Sequence, residues 1–204
     1  MGRKVLIVAA LAAFFAVPAW AQAPDGTPTN VRGKVEKVDG QMLMVKSRDG
    51  KETHVMMAPN FGVLGIVKAK LSDIKEGDFV GIAAAPRKDG TLHAQEVLIF
   101  PEAARGSGEG HYPWDLRGKN DTMTNATVSG VVSQSKGRVL KLTYKGGEKE
   151  IAVGPRTPVV TFKPSDAALL KPGATVFIRG TQKPDGTIAA QRAIAEQNGV
   201  KPPM

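Results

Sequence analysis

Four residues have the types and spacing for ligation chemistry: Met42, Met44, His54 and Met56. Met42 and Met44 alternate with Leu43 and Val45, and His54 and Met56 alternate with Val55 and Met57. In two paired strands, period-2 alternation sends Leu43, Val45 and Val55 to a core and the four donors to the opposite face. The turn Arg48-Asp49-Gly50 joins the two strands. A three-residue loop sets Met44 opposite His54 and Met42 opposite Met56. The alternative register, favoured by a related segment later in the chain, sets Met44 opposite Met56 and Lys46 opposite His54. Thioether sulfur and imidazole are soft donors that suit Cu(I). No cofactor is otherwise required. The competing reading is that these methionines fill a half-covered barrel face.

Other catalytic chemistry finds little footing. Cysteine is absent, which excludes disulfides, thiolate metal sites and thiol catalysis. There is no Gly-x-Ser-x-Gly elbow, and Ser107 in Gly-Ser-Gly lacks the strand–turn–helix context that such a nucleophile needs. The histidines His54, His93 and His111 are scattered. The carboxylate pairs Asp73/Glu76 and Glu148/Glu150 fall near surface turns. No phosphate-cradling glycine loop precedes a helix. The expectation is a protein that is not an enzyme, with an envelope hydrolase as a distant third reading.

A second set of candidate residues concerns recognition. His111, Tyr112 and Trp114 flank Pro113 in the stretch between two related segments. They read either as a plug between domains or as a ligand or partner surface, since such side chains make strong recognition contacts. Lys141, Lys145 and Lys149 form the basic part of the second segment. They read either as solvated charge or as a surface for an anionic glycan, a lipid head group or an acidic envelope protein.

The chain's 204 residues carry a formal net charge of +9. It opens on Met-Gly-Arg-Lys, continues with the apolar run Val5–Val17, and reaches Ala19-Trp20-Ala21. A basic start, a short apolar stretch and an A-x-A exit read as a secretory signal peptide over 1–21. The apolar run is too short for a membrane span, which needs about 20 residues. The expectation is export to the periplasm or beyond, with no transmembrane segment in the mature protein. Loss of Arg3 and Lys4 would leave +7. An exported protein rarely meets nucleic acid, and none is expected as a partner.

The elements that must position these residues come as a repeat. Arg87-Lys88-Asp89-Gly90-Thr91-Leu92-His93-Ala94-Gln95 matches Lys183-Pro184-Asp185-Gly186-Thr187-Ile188-Ala189-Ala190-Gln191, at an offset of 96. Pro59 matches Pro155 at the same offset. Gly33, Leu43 and Val45 match Gly130, Leu140 and Leu142 at an offset of 97, so one residue is lost in the turn near Arg48–Lys51. The copies span 31–99 and 127–195, with a Gly/aromatic linker over 100–126 and a disordered tail over 196–204. Each copy reads as five strands with a short helical turn between the third and fourth. Asp-Gly hairpins at Asp89-Gly90 and Asp185-Gly186 mark the last pair. The fold class is all-β: two tandem small barrels of the five-stranded oligonucleotide/oligosaccharide-binding (OB) type. The second copy holds the excess charge, net +7 against +2 for the first.

The pattern of Gly33-x-Val35, Leu71-x-x-Ile74-Lys75-x-Gly77-Asp78-x-Val80 and Asp89-Gly90-x-Leu92-x-Ala94, echoed in the second copy, resembles the bacterial domain-of-unknown-function family numbered 5666. That resemblance implies a small exported β-rich domain and carries no catalytic residues. The leading expectation is an exported binding or scaffolding module of the cell envelope with an unidentified partner. The alternatives are a periplasmic copper-type accessory and a binder of anionic glycan or lipid.

Overall fold

The computed structural model describes residues 26–114 and 118–202. The segment 1–21, expected to be a leader, lies outside the described residues. The protein is all-β. The first copy supplies β1 (Thr27–Asp39), β2 (Met42–Ser47), β3 (Glu52–Ala69), β4 (Phe79–Pro86) and β5 (Leu92–Ile99). The short β6 (Gly110–Pro113) follows. The second copy supplies β7 (Thr122–Gln134), β8 (Gly137–Tyr144), β9 (Gly147–Val153), β10 (Val159–Ser165), β11 (Thr175–Gln182) and β12 (Ile188–Glu196). Single 3-10 turns, Leu71–Asp73 and Ala167–Leu169, precede β4 and β11.

The barrels are not tandem. In the first ring β1 pairs with β2 and β11, β2 with β3, β3 with β12, and β12 with β11. Three strands of this closed barrel come from the first copy and two from the second. A second set of pairings links β4 to β5 and β7, β7 to β8, β8 to β9, and β9 back to β5 through Leu92↔Ile151 and His93↔Ala152. That second circuit takes β7, β8 and β9 from the second copy and β4 and β5 from the first. The copies have exchanged their last two strands.

The physical cause is the length of β3. Its 18 residues extend for about 60 Å at roughly 3.3 Å per residue. The first half, through Met57, carries Val55 into the first ring. At Ala58–Phe61 the register against β12 slips, because five steps on β3 oppose two on β12. Pro59 sits in this bulge, where a residue without an N–H does least harm to a ladder. The second half leaves the ring and runs antiparallel to β10, from Val63↔Ser165 to Ala69↔Val159. In the second copy the same path is broken outright into β9 and β10 around Pro155 and Pro158. At the crossing Ile66 lies opposite Phe162, its own counterpart 96 residues on. The parallel contacts repeat that symmetry, with Val63↔Ala193 on one side and Val97↔Val159 on the other. An approximate two-fold axis therefore passes through the Ile66/Phe162 pair.

Three buried clusters follow. Val35, Leu43, Val45, Val55, Val176 and Ile178 fill the first ring. Val80, Ile82, Leu140, Leu142, Ile151 and Val153 fill the second. Ile66, Leu98, Met123, Val160, Phe177 and Ile194 form a third between them, at the crossing. The 100–126 segment is more structured than a linker. β6 pairs with β7 (His111↔Thr124, Tyr112↔Met123), and β7 begins at Thr122. The described part of the tail, residues 196–202, takes defined positions. Glu196 ends β12, Gln197 bridges Val200, Val200 packs on the third cluster, and Pro202 is buried.

Candidate functional site

The third cluster opens on one side into a groove of about 670 Å³, a size typical of small-molecule sites. Leu64, Phe162, Leu98 and Ile194 supply its floor from four strands that meet at the crossing. The 3-10 turn Glu102–Ala104 and β6 close the other side. β6 works because strand alternation splits its aromatics. Tyr112 faces the groove, as does Trp114 two residues on, and the two rings meet edge-on at 6.1 Å. Trp114 also packs 6.3 Å from Phe177, and the Arg32 guanidinium lies 5.0 Å from both ring centres. Such cation–π contacts gain strength where water is excluded, and Arg32 is only 8% exposed.

Phe100 completes the wall, 5.3 Å from Phe79 and 5.8 Å from Phe162. Gly81 makes its position possible. A Cβ there would come within 2.7 Å of Asn125 Oδ1 and 2.9 Å of the Phe100 ring. The polar groups in the groove are few. Asn125 Nδ2 donates to the Ser107 and Gly108 carbonyls and to the Tyr112 hydroxyl, each at 3.1 Å. Trp114 Nε1 and Asn125 Oδ1 are buried and meet no hydrogen-bond partner among the described residues. Arg179 and Arg192 line the groove, and among the described residues no carboxylate does. Burial pushes the Tyr112 phenol up, and Arg179, in charge and hydrogen-bond contact, pulls it partly back. The groove is thus a mostly apolar slot with a positive lining.

His111 points away from it. Its ring stacks on Tyr144 at 6.4 Å, and its Nδ1 lies 2.8 Å from Thr124 Oγ1. Burial, aided by the Lys149 charge, holds its pKa below the usual histidine value. The unfolded chain therefore takes up this proton first as pH falls below about 6.5. A group that binds its proton more readily when unfolded lowers stability as pH drops through that window. Denaturant midpoints should fall between pH 7.5 and pH 5, and His111→Gln should flatten part of that slope. An unchanged slope in the variant would assign the effect elsewhere.

The lysines do not form one patch. Lys141 is opposite Glu150, with Nζ 3.5 Å from its carboxylate, whereas Lys149 is opposite the inward Leu142. Lys141 and Lys149 therefore lie on opposite faces of the hairpin. Lys145 sits in its turn, and its backbone N–H donates to Glu109 Oε1 at 3.0 Å.

Met42, Met44, His54 and Met56 do share a face. Met42 is opposite Met56 and Met44 is opposite His54, which settles the register left open above. The β8–β9 hairpin keeps the same frame with a shorter turn, Lys145-Gly146, where Gly146 takes φ 100°. Among the described residues there is no group of three or more His, Cys, Asp or Glu that could hold a metal ion.

Of the groove's lining, sequence reasoning singled out Tyr112 and Trp114 as site residues but not the arginines or the strands that carry them. Phe177, Arg179 and Arg192 stand where the first copy has Gly81, Ala83 and Glu96. That copy-to-copy divergence was the available signal. Compared with known proteins, the chain matches no family model, no curated protein and no solved structure.

Proposed function

We propose that this is an exported, non-enzymatic binding module of the cell envelope. Its ligand is a single-chain anionic amphiphile, an acyl chain with an acidic head group. Its two rings are proposed as OB-like barrels whose exchanged strands build the site at their seam. The observation that carries the reading is one groove walled by Leu64, Leu98, Phe100, Phe162 and Ile194, with two arginines and, among the described residues, no carboxylate. Apolar walls favour burial of a hydrocarbon chain, at roughly 25 cal/mol per Å² removed from water. Arg179 and Arg192 favour a carboxylate or phosphate head, which guanidinium binds in a bidentate fork. Trp114 Nε1 is a further donor, with no hydrogen-bond partner among the described residues.

The test is calorimetric titration of the mature protein with dodecanoate. One-to-one binding is expected for the wild type. The double variant Arg179→Glu/Arg192→Glu should lose at least about tenfold in affinity, the effect of about 1.4 kcal/mol, with its circular dichroism unchanged. Equal affinity in wild type and variant would refute the reading.

A further inference from the structure

The outer face of the first ring carries a feature that the groove does not use. Two pairs directly opposite each other on β2 and β3 are Met42/Met56 and Met44/His54. Directly opposed residues have their Cβ atoms about 5 Å apart, and pairs two steps along the strands remain within reach of long side chains. Their neighbours Leu43, Val45 and Val55 are each fully buried. The four donors are therefore on the outside, and they contribute nothing to the barrel's own core. Met56 is 37% exposed, so its thioether is accessible.

The approximate symmetry of the molecule supplies an internal comparison. In the second ring the equivalent face belongs to β8 and β9, in the same pairing frame. Val139 is opposite Ala152, and Lys141 is opposite Glu150. That face carries an ordinary surface ion pair at 3.5 Å. The same positions in the first ring hold three thioethers and an imidazole. A barrel of this shape does not need methionine there.

One further contact orients the imidazole. Glu52, two residues before His54 and on the same face, has Oε1 2.6 Å from His54 Nε2. An imidazole that donates Nε2–H to a carboxylate keeps its lone pair on Nδ1. This carboxylate support is the usual outer shell of a metal-ligating histidine. We propose that Met42, Met44, Met56 and His54 Nδ1 form a site for a soft monovalent cation, Cu(I), on the outer wall of the first ring. Thioether and imidazole donors select Cu(I) over harder divalent ions. An all-neutral ligand set adds no negative charge that would draw Ca²⁺ or Mg²⁺. The site is independent of the groove and of its ligand.

The test uses the mature chain with Cu(I) alone, kept reduced by ascorbate, against a chromophoric Cu(I) chelator. One equivalent should bind with a dissociation constant below micromolar. In protein labelled at methionine methyls, the resonances of Met42, Met44 and Met56 should shift, and that of the half-buried Met57 should not. Met42→Leu/Met44→Leu and His54→Ala should each weaken binding at least about tenfold while the thermal midpoint changes little, because the face is outside the core. Glu52→Gln should weaken it less than His54→Ala. Binding weaker than micromolar, affinity unchanged in the variants, or shifts confined to other methionines would each overturn the assignment.

Discussion

Cutting the chain at a protease site placed between Ser107 and Gly108 will leave both fragments in one folded particle. Each ring is closed by strands from both sides of the cut: β11 and β12 complete the first, β4 and β5 the second. Separation would strip five-stranded rings to three and two strands, exposing the ladders β1–β11, β3–β12, β4–β7 and β5–β9 at once. Unpaired strand edges and bared cores are strongly unfavourable in water. The nicked protein should elute from gel filtration as one species of unchanged size, with its β-sheet spectrum intact. It should come apart only in denaturant. Its melting point should fall and become concentration-dependent, since unfolding now releases two chains. Fragments that separate in buffer, each with a melting transition of its own, would establish self-contained barrels instead. Ser107 and Gly108 are exposed, so the insertion itself disturbs no core.

The second large effect concerns cooperativity. Leu43 and Leu142 are both fully buried, one in each ring. Truncating either to Ala removes transfer energy and leaves a cavity, for about 2–5 kcal/mol. In a protein of this size that lowers the midpoint by roughly 5–15 °C. Because β3, β5, β10 and β12 are packed together at the crossing around Ile66 and Leu98, the rings cannot melt one after the other. Leu43→Ala and Leu142→Ala should each move one common transition, with calorimetric and van't Hoff enthalpies in agreement. Two transitions, with each variant shifting only its own, would contradict the shared seam.

The strands were legible in the sequence because their signal is local. Leu43/Val45 alternation, the Asp89-Gly90 and Asp185-Gly186 hairpins and the lost residue at Arg48–Lys51 lie within a few residues of the structures they specify. The exchange of strands was not legible, for a physical reason. A tandem pair and an exchanged pair of barrels contain the same strands in the same registers and differ only in the path between the third and fourth strands. The clue was the length of the run from Glu52 to Ala69, too long for one barrel wall. The described part of the tail escaped for a similar reason. Val200 is partly buried against the seam, which exists only once the copies have crossed.

The candidate site divides the same way. The shared face of Met42, Met44, His54 and Met56 follows from period-2 alternation and could be placed from sequence alone. The groove could not, because its walls come from seven strands scattered between Leu64 and Ile194. Tyr112 and Trp114 were singled out by type, but their separation from His111 depends on the pairing of β6 with β7. The lysines Lys141, Lys145 and Lys149 were grouped by closeness in sequence. In a strand that says little about a shared face, and their register divides them.

The most direct test of the seam as a site for an anionic amphiphile is the emission of Trp114, the one tryptophan in a protein prepared from residue 22 onward. Dodecanoate should shift that emission to shorter wavelength along a saturable one-to-one curve. Dodecyltrimethylammonium, with the same chain and the opposite charge, should neither produce the shift nor displace dodecanoate. Equal responses to both amphiphiles, or no response of Trp114 to dodecanoate, would contradict it.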